Sequence, residues 1–256
     1  MQTLLRPLRR IHAARRGQRW AAVVAAVALL FLPGCGTVEP QPLRFDPAPW
    51  RDGETSLYRI TDRNGREAGT VRYALQQTGD DGWMMARETA AQGTQETLAV
   101  HMAGEGFRPR TSLVVRTEEG VTERLSAIYD GAQVDLEMTN KRNITTVERM
   151  NVPSDVRDQW SLFMVARALP LATGYSTRLN VFSPIIGRQS RVTLTVAKPV
   201  QVDVPAGSFE TWPVTLDLGD MKSELWIGVE PPHPLVKYVD GANQGAFELA
   251  EFLPSP

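Results

Sequence analysis

Cysteine and histidine, which supply many metal and thiol sites, are almost absent from this sequence. Its 256 residues include one cysteine, Cys35, and three histidines. A single cysteine cannot form an intrachain disulfide. His101 and His233, the two histidines outside the amino-terminal segment, stand alone in the sequence and do not have the spacing of a usual zinc site. We therefore expect no metal site and no cofactor.

The motifs of common enzyme classes are also missing. There is no G-x-S-x-G elbow, P-loop, H-E-x-x-H or EF-hand loop. The acidic pairs Asp80–Asp81 and Glu118–Glu119 flank glycines and are typical of turns. We predict a protein that is not an enzyme. A hydrolase is the remaining catalytic alternative, and it would need two carboxylates fixed across a cleft.

Long hydrophobic runs are absent, and the longest mostly apolar one lies near the start. It covers 13 residues, Trp20 to Leu32, and would be about 20 Å long as a helix, against the roughly 30 Å of a bilayer core. Basic residues precede it without any acidic residue: Arg6, Arg9, Arg10, Arg15, Arg16 and Arg19. A basic segment followed by a short apolar core is the layout of an export signal.

The segment "LPGC", Leu32 to Cys35, resembles the lipobox of bacterial lipoproteins. The resemblance implies that residues 1–34 are a signal peptide and that Cys35 becomes the acylated first residue of the mature chain, as in a palmitate-bearing lipoprotein. Gly36 stands where an aspartate often retains such proteins in the inner membrane. In a host with two membranes, the implied location is the outer membrane, facing the periplasm. The alternative is an uncleaved signal anchor with a structural cysteine.

Removal of this signal would leave an acidic protein. Of the 28 lysines and arginines, six lie in the signal, so 22 basic and 29 acidic residues remain, a net charge near −7. That balance argues against nucleic acid and against anionic lipid headgroups, since both need a basic face. The expected contact with the membrane is therefore made by the acyl chains.

Residues 35–53 are predicted to form a tether. The stretch "GTVEPQPLRFDPAPWRDG" contains four prolines and has no periodic pattern, so we expect a partly extended linker of about 3 Å per residue. Trp50, near its end, is a candidate for docking on the folded domain.

Residues 54–253 are predicted to form one β-rich domain. Apolar residues alternate with polar ones in "VRYALQ", "QVDLEM" and "RVTLTV", which is typical of antiparallel strands with one exposed face. Turn signals such as Asn64–Gly65 and Asp130–Gly131 separate the strands. We expect a mainly β fold, either a single curved antiparallel sheet or an incomplete barrel.

One segment, about 153–170, predicts a helix. Ser154 or Asp155 can cap its start and Pro170 can end it. Its apolar residues cover most of the helix circumference, so it should be buried rather than lie on a surface. Two interpretations remain open: an ordinary core helix packed on the sheet, and a lid or plug over a half-open barrel.

Three stretches resemble a family of uncharacterised bacterial envelope proteins with a β-rich domain of unknown function. They are "YRITDRNGREAGTVRY", "DQWSLFMVARALPLATGY", and "VPAGSFETWPVTLDL" followed by "SELWIGVEPPHPLVKYV". The resemblance spans roughly Glu54 to Phe252 and carries no catalytic residues. The family is similar in architecture to carriers of lipoproteins, in which an incomplete barrel and internal helices enclose an apolar cavity.

These observations predict a lipid-anchored envelope protein that binds an apolar ligand, such as a lipid or an acyl chain. The candidate cavity residues are large and apolar and lie on the predicted helix or near the VPAG stretch: Trp160, Phe163, Met164, Trp212 and Trp226. The alternative is a tethered scaffold of an envelope complex, which would bind a protein through a strand edge or an aromatic patch.

Overall fold

The computed structural model describes residues 39–79, 81–219, 221–242 and 245–255. The predicted signal peptide and Cys35 lie outside the described residues. The described chain is mainly β, and its strands are β1 (Thr55–Thr61), β2 (Glu67–Thr78), β3 (Gly82–Ala91), β4 (Thr94–Ala103), β5 (Pro109–Glu118), β6 (Val121–Asp130), β7 (Gln133–Thr139), β8 (Thr145–Asn151), β9 (Arg157–Asp158), β10 (Ser176–Ser183), β11 (Arg188–Val196), β12 (Val200–Val204), β13 (Gly207–Asp217), β14 (Lys222–Gly228), β15 (Leu235–Val239) and β16 (Ala246–Leu253).

All of these strands belong to one sheet. Strands β1 to β8 follow one another as a meander, and β1 pairs on its other side with β16. From β16 the order continues through β15, β14, β13, β11 and β10 to β9. The strand pairs are antiparallel except β9–β10. The prediction of a mainly β fold on one antiparallel sheet is confirmed, and hydrogen bonds do not close that sheet into a ring.

The alternation of apolar and polar residues along each strand decides which face of the sheet is buried. Val71, Tyr73 and Leu75 on β2 are each at most 2% exposed, whereas their neighbours are partly or fully exposed. The same phase holds on β11, where Val192 and Leu194 are completely buried. Most inward side chains of both halves of the sheet form one large hydrophobic core. This core supplies most of the stabilisation, at roughly 25 cal/mol per Å² of apolar surface buried.

Strand β13 exchanges partners along its length. Its first half pairs with β12 and its second half with β11. Pro213, which has no N–H to donate, lies at the point of exchange between Thr211 and Val214. The proline therefore interrupts no continuous ladder on that side.

The predicted helix at 153–170 is shorter in the structure. A 3-10 turn (Gln159–Ser161), an α-helical turn (α1, Leu162–Val165) and a second 3-10 turn (Ala166–Ala168) form the helical segment 159–168. The preceding residues are extended because β9 pairs with β10, and Asp158, rather than Ser154 or Asp155, caps the start by accepting from the Trp160 N–H. Within the described residues, no helix is long and apolar enough to cross a membrane.

The helical segment is a core element. Six of its residues are buried and belong to the same apolar cluster as the inward side chains of the strands: Trp160, Leu162, Met164, Val165, Ala166 and Ala168. It ends where Leu169 becomes extended before Pro170, as expected because proline disfavours a helical conformation in the residue before it.

Side chains join strands near the two ends of the sheet, β6 and β7 on one side and β9 and β10 on the other. The Tyr129 hydroxyl donates a hydrogen bond of 2.6 Å to Asp158 Oδ2, and the Tyr129 ring meets the Phe182 ring edge-on at 6.2 Å. A second apolar cluster, which includes Val134 and Val156, fills the space between these strands. These strands are therefore joined by packing and by this partly buried hydrogen bond rather than by a strand ladder.

The segment predicted as a tether is packed on the domain from Gln41 onward. Gln41 N–H donates to the Ser176 carbonyl at 2.7 Å, and the Thr177 hydroxyl donates to the Gln41 carbonyl at 2.9 Å. Trp50 is 3% exposed and lies 5.2 Å from the Phe107 ring. Apolar side chains within the proline-rich stretch thus bind it to the core.

Candidate functional site

An open cleft of about 890 Å³ lies on the inner side of the sheet. Its lining comes from β1 to β5, from the helical segment 159–168, and from β15 and β16. One wall is apolar and aromatic, and the other carries a cluster of charged side chains. Small-molecule sites commonly measure about 300–1,000 Å³, so the volume suits a ligand of that size.

The aromatic wall follows from strand register and helical spacing. Ile60, Phe247 and Tyr238 are directly opposed partners on β1, β16 and β15, so their side chains form a row. Trp160 and Phe163, three positions apart, project beside that row from the helical segment.

Ring contacts make this wall continuous. The centroids of Phe163 and Tyr238 are 4.4 Å apart, and those of Tyr238 and Phe247 are 5.4 Å apart. Burial raises the pKa of Tyr238 well above its ordinary value, and Asp240 adds to the shift. The hydroxyl of Tyr238 is therefore neutral at physiological pH.

The opposite wall is an ion-paired cluster of Arg87, Glu96 and Arg116. Arg116 donates from Nε and Nη2 to Glu96 Oε2 at 2.9 and 2.7 Å, and Arg87 donates from Nη2 to Glu96 Oε1. The side chains of Arg87 and Glu96 are 12% and 11% exposed, whereas that of Arg116 is 50% exposed. Two guanidinium groups share one carboxylate, so the cluster carries a net positive charge at its outer, Arg116 end.

A buried ion pair holds the helical segment behind the cleft. Arg167 Nη1 lies 2.7 Å from Glu54 Oε1, and both side chains are 1% exposed. The same guanidinium donates to the carbonyls of His233 and Pro232 at 2.7 and 2.9 Å. It also lies over the Trp50 ring at 5.5 Å. Because these acceptors come from distant parts of the chain, Arg167 fixes the position of the segment that bears Trp160 and Phe163.

The five cavity candidates from the sequence are divided among four places. Trp160 and Phe163 line the cleft, and Met164 lies behind them, completely buried, with its Sδ 3.3 Å from Arg167 Nη1. Trp212 lies in a separate recess of about 560 Å³, where its ring is 5.8 Å from that of His233. Trp226 is on the outer face, because its neighbours Leu225 and Ile227 point inward, and its ring lies 5.9 Å from Lys237 Nζ.

The charged wall and part of the aromatic wall were not predicted. Glu96 has the same strand phase as the buried Leu98 and Val100, and Arg116 has the phase of the buried Val114. The sequence did contain a signal for the charged wall: on two consecutive strands, a charged residue occupies a position that the alternation assigns to the inner face. Among the described residues, no group of three or more histidines, cysteines, aspartates or glutamates could hold a metal ion.

Comparison with known protein families identifies the family of this chain. A family model described as "Protein of unknown function (DUF3108)" matches residues 57–240, which is most of the β domain. The chain belongs to this family. No curated protein sequence matches the chain.

Among solved structures, the chain is similar to a β-barrel-like protein of domain of unknown function DUF1849 from Brucella abortus. The TM-score is 0.54 at 12% sequence identity, and the match covers 81% of this chain and 100% of the other. The two proteins share a fold.

Two weaker matches have TM-scores too low to support an inference. They are a candidate exported protein with a YmcC-like fold from Bacteroides fragilis, with a TM-score of 0.31, 13% identity and coverage of 82% and 100%, and a candidate lipoprotein from Parabacteroides distasonis, with a TM-score of 0.29, 11% identity and coverage of 83% and 100%.

Proposed function

We propose that this member of the DUF3108 family is a lipid-anchored protein of the cell envelope whose β domain binds a lipid or a single acyl chain in the cleft. The observation that carries the proposal is the aromatic wall, where Trp160 and Phe163 of the helical segment face an open space of about 890 Å³. The lipobox at Cys35 supplies the anchor, with the outer membrane favoured by Gly36 in a host with two membranes.

The two walls suit an amphipathic ligand. An acyl chain gains about 0.8 kcal/mol for each methylene that it buries against apolar side chains. Its polar head would lie by Arg87 and Arg116, whose donors are preorganised by Glu96. The charged wall is built on strands, and the aromatic wall is built on strands and on the buried helical segment, so the cleft is formed before the ligand arrives.

Photocrosslinking of the full chain in cells tests this proposal. Cells that express the protein are fed a fatty acid bearing a diazirine and are irradiated, and the labelled peptides are mapped by mass spectrometry. We expect labels on the peptide with Trp160 and Phe163 in addition to those on the acylated amino terminus. Labels confined to the amino-terminal peptide would contradict a lipid in the cleft.

A blocking variant and a matched control sharpen the test. Ala68 lines the cleft, so Ala68→Trp should obstruct it and remove the labels near Trp160. Ala99 lies between the buried Leu98 and Val100 and therefore on the outer face, so Ala99→Trp adds the same bulk outside the cleft. We expect Ala99→Trp to keep the labels. Equal loss in both variants would show that the labelling does not depend on the cleft.

The scaffold function is favoured by one observation, the open edge of β8. The described ladder partner of this strand is β7 alone, and Val147 on β8 is 72% exposed. Such an edge can accept a strand from another protein. Crosslinking from Val147 to a stoichiometric protein partner, with no lipid label in the cleft, would favour this function.

A further inference from the structure

The tip of the β10–β11 hairpin exposes two isoleucines at the rim of the cleft. Ile185 and Ile186 are 57% and 67% exposed, and Ile185 also lines the cleft. They form a 3-10 turn with Pro184 at its start and end at Gly187, whose φ of 57° is in the left-handed region. The proline and the glycine fix the turn, so the two side chains are held outward.

The hairpin itself is basic, although the mature chain as a whole is acidic. No acidic residue occurs between Asp158 and Asp203, whereas the hairpin contains Arg178, Arg188 and Arg191. Arg188 and Arg191 are exposed and form no ion pair with a described residue. Arg188 has the inward strand phase of Val192, whereas Arg191 has the outward phase, where its cross-strand partner Asn180 donates to Asp155 Oδ1 at 2.8 Å. The net charge near −7 therefore conceals a basic hairpin, and the argument from net charge against anionic headgroups does not apply to this hairpin.

The adjoining recess has little acidic character. A small recess of about 140 Å³ lies beside the turn, and Ile186 and Arg188 line it. Asp240 is the one acidic residue among its described lining residues, and the remainder are uncharged apart from Arg188. Two apolar side chains at a fixed tip, with an arginine on each face of the hairpin, are the pattern of a segment that inserts into the headgroup region of a bilayer.

We propose that the Ile185–Ile186 turn is a bilayer-contacting tip that inserts among anionic phospholipids, with Arg188 and Arg191 at the headgroups. Because Ile185 belongs both to the tip and to the cleft lining, the contact places the mouth of the cleft against the membrane surface. The proposal does not depend on what the cleft binds.

The test uses the full-length protein with vesicles of phosphatidylethanolamine and phosphatidylglycerol at about 70:30. Ile186→Cys is labelled with an environment-sensitive fluorophore, and peptide mass confirms that only this residue is labelled. Leu253→Cys is the matched control, because Leu253 is 53% exposed and pairs with Thr55, at the end of β1 away from Ile60 of the cleft. We expect a blue shift and quenching by nitroxide-bearing lipid at position 186 and neither at position 253.

The contribution of the arginines is measured in the same way. Arg188→Gln and Arg191→Gln should each lower the insertion equilibrium roughly fivefold, and vesicles of phosphatidylcholine alone should lower it further. Equal exposure of positions 186 and 253 would overturn the proposal, as would equal insertion into the two kinds of vesicle. A blue shift that rises with protein concentration in the absence of vesicles would assign the tip to a second copy of this chain and also overturn it.

The experiments distinguish failure of the cleft proposal from failure of the tip proposal. Ala68→Trp should abolish labelling in the cleft and leave the signal at position 186 unchanged. Loss of insertion in the arginine variants with the cleft still labelled would support the tip as a feature independent of the ligand. A signal at position 186 that disappears in Ala68→Trp would contradict that independence.

Discussion

Removing Arg167 should destabilise the domain far more than removing an exposed arginine. In Arg167→Met, the volume of the side chain is roughly kept, but the Glu54 carboxylate stays buried with no opposite charge. The carbonyls of Pro232 and His233 also lose their donor. Breaking a buried pair in this way typically costs about 3–5 kcal/mol. For a domain of this size, about 2–4 °C per kcal/mol gives a fall in Tm on the order of 10 °C.

A double-mutant cycle separates the ion pair from the loss of packing. Glu54→Gln keeps an oxygen that can accept from Arg167 Nη1, so we expect a smaller cost of about 2 kcal/mol. In the double variant Arg167→Met with Glu54→Gln, no buried charge remains. The total cost should therefore be about 1–3 kcal/mol less than the sum of the single costs.

Urea unfolding followed by circular dichroism measures these free energies. Arg149 and Asp135 provide the control, since they form a two-bond pair at 2.6 and 2.7 Å while their side chains are 67% and 40% exposed. Arg149→Met should leave stability almost unchanged. A cost below about 1 kcal/mol for Arg167→Met, or strict additivity in the cycle, would refute the view that this pair fixes the helical segment.

Three further predictions concern single residues. Burial raises the pKa of Asp158 from 3.8 to about 6. The stabilising effect of the protonated Asp158 is therefore complete below pH 4 and falls by about 3 kcal/mol as the pH rises through 6. Asp158→Asn should remove this part of the pH dependence, and equal unfolding curves of the unchanged protein from pH 4 to 8 would contradict the prediction. Cys35→Ser should leave the signal uncut and the protein without acyl chains, as shown by intact mass; normal processing would exclude lipidation at this position. Trp226→Ala should leave lipid labelling in the cleft intact, whereas Trp160→Ala should reduce it several-fold; the reverse order would place the ligand on the outer face.

The strands were predictable because burial of one face imposes a period of two on the sequence. Val71, Tyr73 and Leu75 show this period and are all buried. Trp226 shows where the rule fails, because it stands between Leu225 and Ile227 and three consecutive apolar residues carry no phase information. Its outward position is decided by the tertiary structure, in which its two neighbours fill the core.

The helix and the charged wall show the limits of local patterns. Apolar spacing suggested a helix from 153, but pairing of β9 with β10 keeps Arg157 and Asp158 extended. Arg167 and Glu54 lie 113 positions apart in the chain, so no local pattern connects them. Arg87, Glu96 and Arg116 resemble ordinary surface charges until the register of three strands places them on the inner face.

The attachment of Gln41 to the start of β10 limits the length of the linker between Cys35 and this domain. Gln41 follows Cys35 by six positions, so the chain between them spans at most about 21 Å when fully extended. Strand β2 alone, with 12 residues, is about 40 Å long. If Cys35 is acylated, the domain can search only a thin layer above its own membrane, shallower than its longest strand. A partner in a facing membrane would then have to come to the domain, and exchange with the anchoring leaflet would be favoured by its high local concentration.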